Sequence, residues 1–431
     1  MLGVAFGLAV TVGGTIGMGI LRTPGEVANQ LPTPGLFMGV WVLGGIYALL
    51  GAISVAELGA MIPRSGGWYV FVHRAMGNYA GFVVGWSDWL STCGTLGVIS
   101  LVVGEYSAVL VPQFAGHDKS VAIAVVLLFA LLQWRGIRWG SFTQNLTSLI
   151  KTLIFAAIAI AAFTIAGRSE GGAPLPTPHG FAFFSAIIIA LQGVLYTYDG
   201  WYGVIYFGDE VRNPKQDVVR SMFGGVLLVI AIYLVVNLAY IHVLPMSQLA
   251  HESLPAGAVA RVLFGGYGDK LIRILAILSL LSTVNAYTLT APRILYAMSC
   301  DELFHHRAAR VNLGGTPTVT LLISTVVAIL FILSAQFSAI LAALAFFFVA
   351  NYSMGYLSVI ILRRREPDLP RPYRTWGYPW TTVLVLIGSV AFLVGAIIGD
   401  KRNSLVALAI LALSIPLYLI VKLTSPGRKG S

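Results

Sequence analysis

Gly13-Gly14-Thr15-Ile16-Gly17-Met18-Gly19 sets four glycines in seven residues inside an apolar run long enough to cross a bilayer. Each glycine costs a helix about 1 kcal/mol relative to alanine, so unwinding is predicted at Thr15-Ile16-Gly17. Hydrocarbon offers backbone groups no water, so an interrupted helix is tolerated only where it lines a cavity or lies inside protein. A second interruption, Tyr196-Thr197-Tyr198-Asp199-Gly200-Trp201-Tyr202, falls inside the sixth apolar span. Taken alone, the first glycine cluster is equally explained by close helix approach. One break per half instead points to a solute site near the bilayer midplane, and a small-solute carrier is expected.

Composition agrees. The chain has 431 residues, 57% hydrophobic and only 10% charged, where soluble chains average about 25% charged. Its apolar residues form long runs rather than stripes, which makes lipid the solvent. About twelve spans are predicted, near 3–29, 35–61, 79–110, 120–135, 143–167, 181–208, 218–244, 267–299, 317–334, 337–362, 377–399 and 403–423. The net charge of +10 is distributed by side. With the amino terminus cytoplasmic, inside loops hold most Lys and Arg, among them Arg64, Arg74, Arg212, Lys215, Arg363, Arg364, Arg365 and Arg371. The outside set is Lys119, Arg168, Arg261, Lys270, Arg273, Lys401 and Arg402. That asymmetry orients a membrane protein with both termini cytoplasmic and leaves no case for nucleic acid. Cys93 within a span and Cys300 at a helix end are too far apart to pair. The first apolar segment is too long for a cleaved signal peptide and is expected to be retained.

Five spans precede the polar linker Gly167–Pro174 and five follow it, up to about Arg363. An odd number per half requires two halves of opposite orientation, each opening with its broken helix. The expected units are therefore 1–167 (spans 1–5), 181–363 (spans 6–10) and two additional spans in 377–424. Pro245–Leu263 is long enough to form a hairpin lid over an outer vestibule.

The chemistry expected of the breaks follows from their bare backbone. Amides freed at the second half-helix suit a carboxylate, and carbonyls freed at the first suit an ammonium. Asp199 is costly near the bilayer centre, so it should face a cavity or a partner; it has the chemistry to accept from a substrate amine, to carry a proton, or simply to cap broken backbone. Tyr196, Trp201 and Tyr202 offer flat walls for a gate, with core burial the plainer reading. Lys151, about 13 Å into span five at 1.5 Å per residue, reaches the midplane, where its ammonium can hold unwound carbonyls of span one. Snorkelling to the surface is the alternative. Asp88 needs a partner that the sequence does not name, while Glu57 and Arg293 sit nearer the helix ends and read as structural. No zinc motif, phosphate-binding loop or nucleophile–base constellation is present, so no cofactor, metal or enzyme activity is implied.

At these residues the chain resembles the amino-acid/polyamine/organocation (APC) superfamily, and within it the L-type amino acid transporter branch. Gly14-Thr15-Ile16-Gly17-Met18-Gly19-Ile20 is similar to the family's unwound run. Asp199-Gly200-Trp201 followed by Asp209-Glu210-Val211-Arg212-Asn213-Pro214-Lys215 is similar to its sixth-span signature. Asn285 to Arg293 through Asp301, and Leu362–Pro367 with Arg371-Pro372-Tyr373, resemble the eighth and tenth spans. The resemblance implies an all-α membrane fold with a 5+5 (LeuT-like) inverted repeat and helices 1 and 6 discontinuous. It implies an amino acid bound by Thr15, Ile16, Gly17, Met18, Gly19, Tyr196, Asp199, Gly200 and Trp201, with Tyr202 and Tyr287 as further candidates. Lys151 falls where sodium-independent members carry a lysine, although Ser282-Thr283 resembles the hydroxyl pair of sodium-coupled relatives. Met18 and Asp199 depart from the family pattern, and no cysteine in 111–120 offers a disulfide to an accessory subunit. The function expected is an amino-acid permease or exchanger in the plasma membrane. A proton-coupled polyamine or organic-cation carrier, and a non-transporting sensor, are the alternatives.

Overall fold

A computed structural model describes residues 2–165, 176–334, 337–399 and 401–424. The broken first span is α1 (Val4–Thr15) and α2 (Gly19–Gln30), bent by 45° at the break. There follow α3 (Pro34–Met61), α4 (Trp68–Met76), α5 (Asn78–Leu110), α6 (Asp118–Trp134), α7 (Ile137–Thr164) and α8 (Phe181–Tyr198). After α8 the chain turns once and continues as a 3-10 helix, Gly203–Glu210. Then come α9 (Pro214–Val243), α10 (Met246–His251), α11 (Pro255–Phe264), α12 (Gly268–Cys300), α13 (Thr318–Leu333), α14 (Phe337–Arg365), α15 (Trp380–Gly399), α16 (Lys401–Ala412) and α17 (Ser414–Thr424).

Among the described residues, nine helical segments are long and apolar enough to cross a membrane, ten when the bent pair counts as one. The shorter α6 and α13, of 17 and 16 residues, complete the expected twelve. Their backbone groups are bonded within each helix, which is what hydrocarbon demands. The perimeter is apolar, with Leu128, Leu131, Phe142, Leu153 and Ile160 exposed on α6 and α7. The broken span is central: α1 lies against α7, α9 and α12, while α2 lies against α8 and α10.

The structure corrects several boundaries. Unwinding covers Ile16–Met18 rather than Thr15–Gly17, because Thr15 closes the last turn by donating its hydroxyl to Thr11 O at 2.8 Å. In the sixth span Tyr196–Tyr198 remain helical and the break begins at Asp199, whose amide still reaches Tyr196 O at 3.2 Å. Helix α7 starts at Ile137, six residues before expected, so Lys151 lies at the middle of its 28 residues. The amphipathic helix α4 was not expected at all. It lies on the face that carries the amino terminus, called here the near face. Pro245–Leu263 folds as α10 and α11 against α2 on the far face. The linker Gly167–Pro174 lies outside the described residues.

Candidate functional site

The first break is held open from α7. Lys151 Nζ donates to Gly13 O at 2.9 Å, to Thr283 Oγ1 of α12 at 2.9 Å and, in a shorter contact, to Ile16 O. Lys151 is fully buried, so these three acceptors replace its water. Tyr233 Oη of α9 lies 2.8 Å from both Thr15 O and Thr197 O, bridging the two breaks. Gly200 adopts φ +101°, and a Cβ there would stand 2.9 Å from Gly14 C and Thr15 N. Only glycine lets the two interrupted backbones meet so closely.

Where they meet lies a cavity of about 30 Å3, lined by Gly14, Thr15, Gly17, Met18 and Gly19 from the first span and by Tyr196, Thr197 and Asp199 from the sixth. Thr95 and Ile99 of α5, Thr283 and Tyr287 of α12 and Phe348 of α14 close it. Its polar focus is the Asp199 carboxylate. Tyr202 Oη donates to Oδ1 at 3.2 Å, Tyr287 Oη to Oδ2 at 3.3 Å, and Tyr352 Oη to Oδ1 in a shorter contact. No cation pairs with Asp199 among the described residues; three phenols do. Behind them Trp68 of α4 meets Trp201, Tyr202 and Tyr352 with ring centroids 6.0, 5.0 and 5.3 Å apart. Helix α4 thus serves as the floor of the site.

Toward the near face the structure is bolted. Tyr206 Oη donates to both oxygens of Asp88, at 2.9 and 3.0 Å, supplying the partner that carboxylate needed. Arg293 pairs with Glu210 at 2.6 Å, and Glu57 accepts from Arg363, Arg371 and Thr375 N. At the surface Asp301 is held by Arg64 at 2.8 Å and Tyr69 at 2.9 Å, with His73 at 3.5 Å. Burial pushes the Asp301 carboxyl up, but hydrogen bonds from His73, Arg64 and Tyr69 outweigh it and hold it at about 2. The hydrogen bond to Asp301 raises His73 above its ordinary value. Toward the far face, by contrast, a vestibule of about 480 Å3 opens above the cavity.

The candidates named from the sequence divide three ways. Thr15, Gly17, Met18, Gly19, Tyr196, Asp199 and Tyr287 reach the cavity. Gly200 and Tyr202 line a second small space just below it, with Thr92, Tyr206 and Tyr287. Ile16 and Trp201 do not line the cavity: Ile16 contributes its carbonyl to Lys151, and Trp201 meets Trp68 edge to face. Tyr352, Phe348, Thr95, Ile99 and Tyr233 were missed, and the one signal for them was polar Asn351-Tyr352 within an apolar run.

Comparison with known proteins gives the family. A family model described as amino acid permease matches residues 5–421. The chain belongs to this family. It is 29% identical to the serine/threonine exchanger SteT of Bacillus subtilis (strain 168), covering 98% of this chain and 96% of that one. It is 27% identical to the mouse Asc-type amino acid transporter 1, over 97% of this chain and 80% of the relative. It is 26% identical to the human b(0,+)-type amino acid transporter 1, over 86% and 78%. This permease of the APC superfamily is therefore a multi-pass membrane protein, with a broken-helix cavity at its centre.

Proposed function

We propose that this permease is a secondary active amino-acid transporter that works by alternating access, as a permease or an exchanger, without sodium. The observation that carries the reading is the Lys151 ammonium on the carbonyls of Gly13 and Ile16 and the hydroxyl of Thr283. A fixed positive charge occupies the carbonyl-and-hydroxyl set that would otherwise ligate a small cation. The α-carboxylate of the substrate is assigned to the amides at the start of α2, where the helix dipole favours negative charge. The ammonium is assigned to the Asp199 side of the cavity, with Thr15, Ile16, Gly17, Met18, Gly19, Tyr196, Gly200, Trp201, Tyr202 and Tyr287 around or behind it. The near face is assigned to the cytoplasm and the membrane to the cell's own boundary, the inner membrane in a bacterium. Units 1–167 and 181–363 are taken as the two opposed repeats, with 377–424 peripheral.

The test is uptake and counterflow of a full labelled amino-acid panel in proteoliposomes, with and without sodium. Uptake of at least one amino acid in sodium-free buffer is expected; silence across the panel would refute the reading. A carrier of polyamines or organic cations is the second reading, favoured by a cation-free Asp199. Ligand binding without counterflow would identify a sensor instead.

A further inference from the structure

Helices α5 and α12, which line the central cavity, and α2, which rises from its broken span, also line the far vestibule. From Met18, the residue that caps the start of α2, Arg22 and Glu26 follow at four-residue steps and so share a face. On α5 the sequence from Ile99 reaches Tyr106, and on α12 the cavity residues Thr283 and Tyr287 lie below Arg273. Arg22 lies about 6 Å above Met18 at 1.5 Å per residue. The vestibule of about 480 Å3 falls within the roughly 300–1,000 Å3 typical of small-molecule sites.

Its floor is a guanidinium–phenol–guanidinium layer. The Arg22 and Arg273 guanidinium carbons stand 5.6 and 5.5 Å from the centre of the buried Tyr106 ring. Arg22 Nε also donates to Tyr106 Oη at 3.3 Å, and its outer nitrogen lies 3.7 Å from Glu105. That last distance is an ion pair without a short hydrogen bond, between two partly exposed side chains, and such pairs contribute little. Arg22 therefore keeps donor capacity for a better acceptor. Glu26, one turn above it on α2, is exposed and lines the same space, whereas Glu252 is engaged by Arg261 at 2.9 Å.

We propose that this layer is a staging site for the α-carboxylate of an arriving amino acid, with Arg22 as its principal donor, Arg273 beside it and Glu26 facing the ammonium. Guanidinium suits carboxylate because its fork offers two parallel donors. The inference rests on the amino-acid reading and sharpens it. A diamine has no carboxylate to offer Arg22, while a zwitterion matches both Arg22 and Glu26.

The experiment measures KM for substrate added at the far face of vesicles with fixed orientation, for wild type, Arg22→Gln and Arg22→Lys, at low and high salt. For Arg22→Gln a rise of roughly tenfold in far-face KM is expected, the scale of one lost charged hydrogen bond. The ratio of far-face to near-face KM rises with it, and Arg22→Lys falls in between. Wild-type KM climbs with ionic strength, because salt screens the Arg22–carboxylate pair in the open vestibule, and the Arg22→Gln value climbs less. A far-face KM within twofold of wild type, or an equal rise on both faces with unchanged salt dependence, overturns the staging site while amino-acid transport stands. If wild type moves no amino acid, the underlying reading fails and the staging site falls with it.

Discussion

Lys151→Ala tests the central claim most directly. The substitution removes three donated hydrogen bonds from the middle of the membrane. Thr283 loses least, because its hydroxyl keeps Ser279 O at 3.4 Å as its acceptor. Gly13 O and Ile16 O lose their charged donor. A buried group left unsatisfied costs about 1–3 kcal/mol, so two carbonyls together cost about 2–6 kcal/mol. Water entering the space of the missing side chain offsets part of this, which leaves the lower end, about 2–3 kcal/mol. At 1.4 kcal/mol per decade, the population of correctly broken span one drops about 30- to 140-fold. Counterflow in proteoliposomes should fall by that factor, with protein still recovered folded by size exclusion. Lys151→Met, which keeps bulk without charge and so leaves no room for that water, should fall at least as far. Transport within threefold of wild type in either variant would refute the argument, as would an absolute sodium requirement in the wild type.

Asp199→Asn keeps an acceptor for the phenols but removes the charge that faces the α-ammonium; uptake of neutral and cationic amino acids alike should fall at least about tenfold, the order of one charged hydrogen bond, and an unchanged uptake of both would remove Asp199 from substrate recognition. Gly200→Ala forces a side chain into a left-handed conformation, at about 1–2 kcal/mol, and into contact with the backbone of Gly14; uptake should be abolished and the detergent Tm lowered. The near-face clamp is pH-sensitive in two directions. His73, raised by Asp301, contributes fully below its ordinary value of 6.5 and is lost as pH climbs through the raised one. Asp301 contributes above 3.8 and is lost as pH falls toward about 2. Hydrogen exchange of the α4 amides should therefore be slowest in mild acid and quicken on alkalinisation beyond the intrinsic base-catalysed rise, and His73→Asn should remove that excess.

The breaks were legible because glycine and Asp-Gly punctuate apolar runs that otherwise have no reason to stop. Lys151 was legible for the opposite reason, as a charge where charge is expensive. Helix α4 was not: its nine residues are too short to span, and its apolar side turns inward under the site rather than toward lipid. Tyr352 and Phe348 were hidden because α14 is apolar nearly all round, so no periodicity marks which side meets the cavity. Arg22 was overlooked because it lies within a span whose role had already been assigned to its glycines. Cross-helix partners such as Tyr233, which depend on tertiary approach across 218 positions, leave no local trace.

The space beside Asp199 is about 30 Å3, roughly the share of one liquid water molecule. An arriving solute therefore cannot simply drop in; it must trade places with the three phenols that now satisfy the carboxylate. A zwitterion is suited to that trade, since its ammonium replaces the donors Asp199 gives up while its own carboxylate receives hydroxyls set free. Recognition then becomes an exchange of partners at nearly constant hydrogen-bond number, which favours modest affinity and rapid release over tight capture.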